Sequence, residues 1–324
     1  MEKRRLGHSD MMISRVGLGA WAIGGSWQWG WGEQDDSDSI GAIHRAVELG
    51  VNWIDTAAVY GLGHSEEVVG AALRDMLDCD KPYVFTKCGL CWDEENNKSR
   101  EAFPRLKAES VRREAEGSLR RLGVEAIDLY QIHWPNPNAD IEEAWGEMVK
   151  LQKEGKVRWI GVSNHGVKQM ERLAKIAPIA SLQPPYNLIN RSIEPDILPY
   201  CYSKDIGVIV YSPMASGLLT GRMTPERIAS LSDDDWRKRD FNYTGARLAA
   251  NLKFVEVLKT VAERKGVYAA EVAIAWTLHN PAVTAAIVGM RKPLQAERTV
   301  GAAKVVLTAE DMAEIDRARP VYQP

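Results

Sequence analysis

Four side chains able to move or hold protons stand at the ends of apolar runs: Asp55 in "VNWIDTAAVYG", with Tyr60 five residues on, Lys87 closing "PYVFTK" and His133 closing "IDLYQIH". Each has a plain role when taken alone, as a turn acid, a packing ring, a core imidazole or a lysine reaching for water. Together they suggest chemistry, because a lysine is costly to bury without a carboxylate partner. A phenol ordinarily ionises near pH 10 and is a poor proton donor at neutrality. An ammonium about 4 Å away, at an effective dielectric near 20, favours its phenolate by roughly 4 kcal/mol, or about three pKa units. Tyr60 would then act as a general acid, Asp55 would keep Lys87 charged, and His133 would orient a carbonyl oxygen or relay its proton. The set suits hydride addition to a carbonyl whose oxygen is protonated in the same event.

Such convergence needs elements that deliver all four groups to one place. The chain alternates short apolar runs with helical periodicity: "SRVGLGA", "VNWIDTA", "PYVFTKC", "IDLYQIHW", "VRWIGVSN", "ASLQPPYN", "IGVIVYS" and "TAAIVGM" are each followed by a helical stretch, the last by "PLQAERTVGAAKVV". Eight alternations predict an α/β fold, a (β/α)8 TIM barrel with right-handed crossovers and its chemistry at the strands' C-terminal ends. "RRLGHSDMMIS" predicts a β-hairpin at the barrel floor, and "AAEVAIAWTLHN" an extra helix before the last strand. Gly50, Gly123, Gly155 and Gly266 are expected to end helices; Ser65 and Ser110 are expected to cap them. Period-two alternation puts Leu129, Gln131 and His133 on one face, against Tyr130, Ile132 and Trp134, and separates Phe85 and Lys87 from Thr86 and Cys88. A doubly wound sheet is the rival, since "GLGAWA" from Gly17 matches GxGxxA. No helical pattern begins inside that glycine run, so the match is set aside.

No proline-, glycine- or charge-rich linker divides the 324 residues, and a single domain over 1–324 is expected. A net charge of −3, with 45% hydrophobic and 26% charged residues, gives no reason to expect nucleic acid or an anionic membrane as partner. "MEKRR" leads into no apolar segment, no run is long enough to span a bilayer, and four cysteines are too few for a disulfide framework; a cytoplasmic protein is expected. The Cys88/Cys91 pair in "KCGLC" lacks the second half of a zinc site, and no metal is expected.

The four residues, in this order along a barrel pattern, resemble the aldo-keto reductase superfamily, and its bacterial general-stress and inositol-utilisation branch in particular. The resemblance runs from "VGLGAW" through "IDTAAVYG", "TKCG", "IHWP", "GVSN", "LQPPYN" and "YSPMASGLLTGR" to "GMRKPLQAE". It implies reduction of aldehydes or ketones to alcohols, with Asp55, Tyr60, Lys87 and His133 as the catalytic set. It also implies a nicotinamide cofactor held without a Rossmann fold. Ser163, Asn164 and Gln183 then match the carboxamide ligands and Tyr211 the ring that stacks on the nicotinamide, with Gly19, Ala20 and Trp21 nearby. Ser212, Met214, Gly217 and Arg222 match pyrophosphate contacts; Gly289, Arg291 and Gln295 match the adenosine-phosphate site. Arg291 favours NADPH/NADP+ over NADH, because a guanidinium pairs well with a 2'-phosphate. Many relatives carry Glu-Asn where this chain has Arg298 and Thr299.

Tryptophans in or beside the loops after the strands, Trp21, Trp27, Trp29, Trp31, Trp92 and Trp134, are expected to rim a pocket for a small carbonyl substrate. The segment from Met223 to Leu248 is expected to form a lid that helps choose it. Two other functions fit parts of the pattern. One is a Schiff-base aldolase using Lys87, which a neighbouring acid disfavours. The other is a catalytically weak nicotinamide-binding regulatory protein, which a chain starting at the floor hairpin disfavours. The oligomeric state is not readable from the sequence.

Overall fold

The computed structural model describes residues 1–93, 101–233 and 235–320. Eight parallel strands close a barrel: β1 (Val16–Gly19), β2 (Trp53–Asp55), β3 (Tyr83–Cys88), β4 (Ile127–Ile132), β5 (Val157–Ser163), β6 (Ser181–Gln183), β7 (Gly207–Val210) and β8 (Val283–Gly289). Each pairs with its neighbour in sequence, and β8 returns to β1, so no edge is left open. Helices α1 (Asp36–Glu48), α2 (His64–Arg74), α3 (Ala108–Leu122), α4 (Ile141–Lys153), α5 (Val167–Ala174), α6 (Ile197–Ser203) and α7 (Gly245–Lys265) follow β1 to β7 in turn. The expected (β/α)8 TIM barrel is therefore the fold. The extra helix is α8 (Ala269–His279), buried nearly all round, as its mostly apolar sequence demands.

Alternation sorts the strand side chains into two cores. Val84, Cys88, Tyr130 and Ile132 face outward into the layer under the helices. Trp53, Phe85, Leu129, Ile209 and Ala285 fill the lumen, where Leu6, Met11 and Ile13 of the hairpin Lys3–Arg5/Met12–Ser14 meet them from below. The expected floor plug is thus in place, each such large apolar side chain contributing roughly 2 kcal/mol on burial. Gly17 belongs to this packing: a Cβ there would come within 2.1 Å of the Trp53 ring. Its glycine makes room for an indole, which explains the GxGxxA match without a dinucleotide. Beneath β1, the buried Arg15 donates to the carbonyls of Leu278, Val283 and Thr284, tying α8 to β8.

Gly50, Gly123, Gly155 and Gly266 all take left-handed conformations at helix ends, as expected. The two serine caps are corrected. Gly63 precedes α2, and the Ser65 hydroxyl inside it donates to the carbonyl of Ala20 at 2.8 Å. Lys107 precedes α3, and Ser110 bonds back to its carbonyl at 2.8 Å. "PLQAERTVGAAKVV" is not one helix but α9 (Pro293–Glu297) and a 3-10 turn at Val300–Lys304. A last helix, α10 (Ala309–Ala318), was not expected, although the Thr308/Asp311 capping box announces it. No helix among the described residues is long and apolar enough to cross a membrane.

Candidate active site

Strand register sets the polar layer above the lumen core. Asp55 stands opposite Phe85 on the neighbouring strand, and Lys87, two residues on, shares that inward face and pairs in register with Gln131. Lys87 Nζ lies 2.6 Å from Asp55 Oδ1, 2.8 Å from the Thr56 carbonyl and 3.3 Å from the Tyr60 hydroxyl, so its three N–H bonds all have acceptors. The other Asp55 oxygen accepts from Gln183 Nε2 at 2.7 Å and Gln131 Nε2 at 3.4 Å. Charge this deep persists because it is paired and hydrogen-bonded; removing one partner of such a pair typically costs about 3–5 kcal/mol. The His133 ring meets the Tyr60 ring edge-on at 5.6 Å between centroids, and its peptide N–H bonds the Cys88 carbonyl at 3.0 Å. All four residues singled out in the sequence come together.

One electrostatic expectation is overturned. The Tyr60 phenol is pushed well above its ordinary value of 10, first by burial and then by the Asp55 charge. Lys87 cannot acidify it alone, because Asp55 makes the ion pair nearly neutral and leaves desolvation to decide. Burial also lowers Lys87, with Asp55 opposing. His133 is held well below 6.5 by burial and next by Lys87, so its imidazole is neutral.

These groups open on a cavity of about 1310 Å³, lined by Asp55, Tyr60 and His133 but not by Lys87. Gly19, Trp21, Ser163, Asn164, Gln183 and Tyr211 line it too, as do Ser212, Met214, Gly217, Arg222, Gly289, Arg291 and Gln295. Ala20 does not: it is fully buried, with its N–H on the Asp55 carbonyl at 2.8 Å. Among the tryptophans expected at the rim, Trp21, Trp27, Trp29, Trp31 and Trp134 line the cavity. Trp92 is absent from the lining and packs instead against the Arg121 guanidinium, 5.8 Å away. Trp134 departs from strand alternation because β4 ends at Ile132; it is 44% exposed.

The donor set of the cavity fits a nicotinamide dinucleotide. Tyr211 is tethered through its hydroxyl to Asn164 Oδ1 at 2.9 Å. Asn164 Nδ2 in turn donates to the Ser163 hydroxyl and the His133 carbonyl, both at 3.0 Å. A flat ring and an amide-compatible cluster thereby share one wall. At the other end Arg222, Arg227, Arg237 and Arg291 line the cavity with Asp235, and Arg237 and Arg227 both depress the Arg291 pKa, below the burial effect. Arg298 lines this end with a buried Nε that has no partner. Such a cationic pocket suits phosphate groups. The segment expected as a lid contributes lining residues here, Met223, Arg227, Ser230, Asp235 and Arg237, and Arg237 lies over the Trp31 ring at 4.3 Å. Asp234 lies outside the described residues.

Several residues escaped the sequence reading. Glu66 is fully buried behind β3, accepting from Thr86 Oγ1 at 2.5 Å and Arg121 Nε at 2.7 Å, and it favours the charged form of Lys87. Glu114 accepts from the Gly89 N–H at 3.0 Å and from Cys91 Sγ at 3.4 Å, so that cysteine belongs to a buried hydrogen-bonded group. Cys88 faces the helix layer, as alternation predicted.

Comparison with known proteins agrees with this construction. The family model described as the Aldo/keto reductase family matches residues 15–320. The chain is 38% identical over 317 residues to the aldo-keto reductase YhdN of Bacillus subtilis (strain 168), covering 98% of this chain and 93% of that protein. It is 33% identical to the NADH-specific methylglyoxal reductase of Escherichia coli (strain K12), covering 96% of each. Among solved structures, the glycerol dehydrogenase AKR11B4 from Gluconobacter oxydans superposes with a TM-score of 0.88 at 40% identity, covering 98% of this chain and 94% of that one. A match across nearly the whole barrel joins an independently built polar site, and the chain belongs to the aldo/keto reductase family, whose members are oxidoreductases that work with nicotinamide cofactors.

Proposed function

We propose that this oxidoreductase is an NADP(H)-dependent carbonyl reductase of one domain, acting on small aldehydes or ketones in the cytoplasm, with Tyr60 as the general acid. The observation that carries the reading is the Lys87–Tyr60 contact: the phenol faces the cavity while the ammonium sits behind it, 3.3 Å away. A nicotinamide held in this cavity would supply the hydride to the carbonyl carbon. Tyr60 gives its proton to the carbonyl oxygen, and the N–H of Lys87 stabilises the phenolate left behind. Asp55 holds the ammonium in place and keeps it charged. His133, neutral, offers an N–H to orient the carbonyl oxygen. Ser163 and Asn164 orient the carboxamide and Tyr211 supports the ring. Gln183 has its Nε2 committed to Asp55, which leaves its oxygen for the ligand.

The arginine-rich end supports NADP(H): Arg291 would hold the 2'-phosphate and Arg222 the pyrophosphate. The relative named NADH-specific makes cofactor choice the point to test. Titrating wild type and Arg291→Ala by protein fluorescence checks it. The affinity for NADPH is expected to fall at least tenfold in the variant, with NADH changed less than threefold; equal losses contradict the 2'-phosphate assignment. Methylglyoxal and glyceraldehyde, chosen from the relatives' names, are the first substrates to assay. An aldolase reading loses ground because Lys87 Nζ is fully engaged and turned from the cavity.

A further inference from the structure

After β7 the chain runs through consecutive residues in the left-handed region: Ala215 (φ 46°), Ser216 (φ 52°) and Gly217 (φ 99°). Two of the three carry side chains, which rarely adopt this conformation, so the run persists only because its surroundings hold it. Ser216 and Gly217 line the cavity beside Met214 and Arg222. The group that holds its first two carbonyls comes from the segment 223–248 behind it. The Tyr243 hydroxyl lies 2.7 Å from the Ala215 carbonyl and 3.0 Å from the Ser216 carbonyl. Its ring, 3% exposed, is buried among Leu218, Met223 and Ile228 and does not reach the cavity. Thr220 secures the third carbonyl, that of Gly217, at 2.7 Å.

In a planar trans peptide the C=O and the following N–H point in opposite directions. Drawing the Ala215 carbonyl back onto Tyr243 therefore turns the Ser216 N–H the other way, toward the cavity that Ser216 lines. A backbone N–H turned into the cavity beside an arginine offers an anion one donor and one neighbouring charge, a minimal cradle. The geometry points to Tyr243 as a positioning residue for cofactor binding: its hydroxyl clips residues 215–217 in the shape that presents this cradle to the diphosphate of the dinucleotide. The inference rests on the dinucleotide reading above and gives the lid a task unlike the substrate selection expected of it.

Tyr243→Phe keeps the packed ring and removes only the clip. Dissociation constants are measured for NADPH by fluorescence quenching, and by calorimetry for 2'-phospho-ADP-ribose, which carries the diphosphate, and for 2'-AMP, which lacks it. The first two are expected to weaken about tenfold in the variant, 2'-AMP less than twofold, while kcat at saturating NADPH and the melting temperature hold. Unchanged affinity for the diphosphate ligands overturns the proposal. So does an equal loss for 2'-AMP, or a variant that does not fold, since the hydroxyl would then serve the fold at large. Wild-type protein that binds neither NADPH nor NADH removes the dinucleotide reading itself, an outcome seen before any variant is made.

Discussion

Lys87 Nζ lies 3.3 Å from the Tyr60 hydroxyl and 5.0 Å from the centre of its ring, yet the phenol is harder to ionise than free tyrosine. The ammonium is spent on Asp55, 2.6 Å away, and what Tyr60 experiences is a nearly neutral pair in a dry setting. For a proton donor this is workable. The phenol stays protonated through neutrality, and the nearby N–H is ready when charge develops on its oxygen.

The pH profile follows from these directions. Tyr60 keeps its proton and His133 stays uncharged from roughly pH 6 to 9, since one is raised above 10 and the other held well below 6.5. The kcat/KM for carbonyl reduction should be flat across that window and fall only at higher pH, as the phenol ionises. Alcohol oxidation needs the phenolate and should rise with pH over the same range. Steady-state assays in both directions check this; an inflection near 6.5 in the reduction profile would show that His133 titrates after all.

Breaking the buried pair should cost stability as well as turnover. Lys87→Met leaves the Asp55 carboxylate buried with only amide donors, and a loss of about 3 kcal/mol in urea unfolding is expected. Adding Asp55→Asn should restore most of that stability while turnover stays lost. Additive losses in the double variant would mean that the two groups do not interact.

Glu114 makes the fold sensitive to pH. Burial raises its carboxyl from the ordinary 4.5 to about 7. The folded state thus holds this proton more tightly than the unfolded chain, a contribution complete below 4.5 and lost as pH rises through 7. The loss amounts to about 3 kcal/mol. Glu114→Gln stays neutral throughout, so its melting temperature relative to wild type should climb between pH 5 and pH 8. Parallel melting curves would place the carboxyl's pKa near its unfolded value.

The barrel was legible because its signal is repeated: eight apolar runs alternate with eight helical stretches, and period-two alternation already sorted Lys87 and Gln131 from Cys88 and Tyr130. The polar layer followed from the same rule for Asp55 and Lys87, which face inward at the C-terminal ends of β2 and β3, whereas His133 reaches the site one residue beyond the end of β4. Legibility failed where partners come from afar. Nothing near Trp92 in sequence announces Arg121, and nothing near Ala20 announces that its N–H serves Asp55. Ser65 looked like a cap because its hydroxyl's acceptor, Ala20, lies 45 residues away. The sign of the Tyr60 shift depends on how Lys87 divides its charge among three acceptors, which no spacing reveals. The capping box at Thr308 and Asp311 was present in the sequence and marks α10.

Tyr60→Phe tests the proposed acid most directly, because it removes one oxygen and leaves the cavity wall in place. Hydride transfer from NADPH to methylglyoxal, followed at 340 nm, is expected to fall by at least a thousandfold, with NADPH affinity by fluorescence quenching within threefold of wild type. Turnover that survives the loss of the phenol, with cofactor binding intact, would contradict Tyr60 as the proton donor.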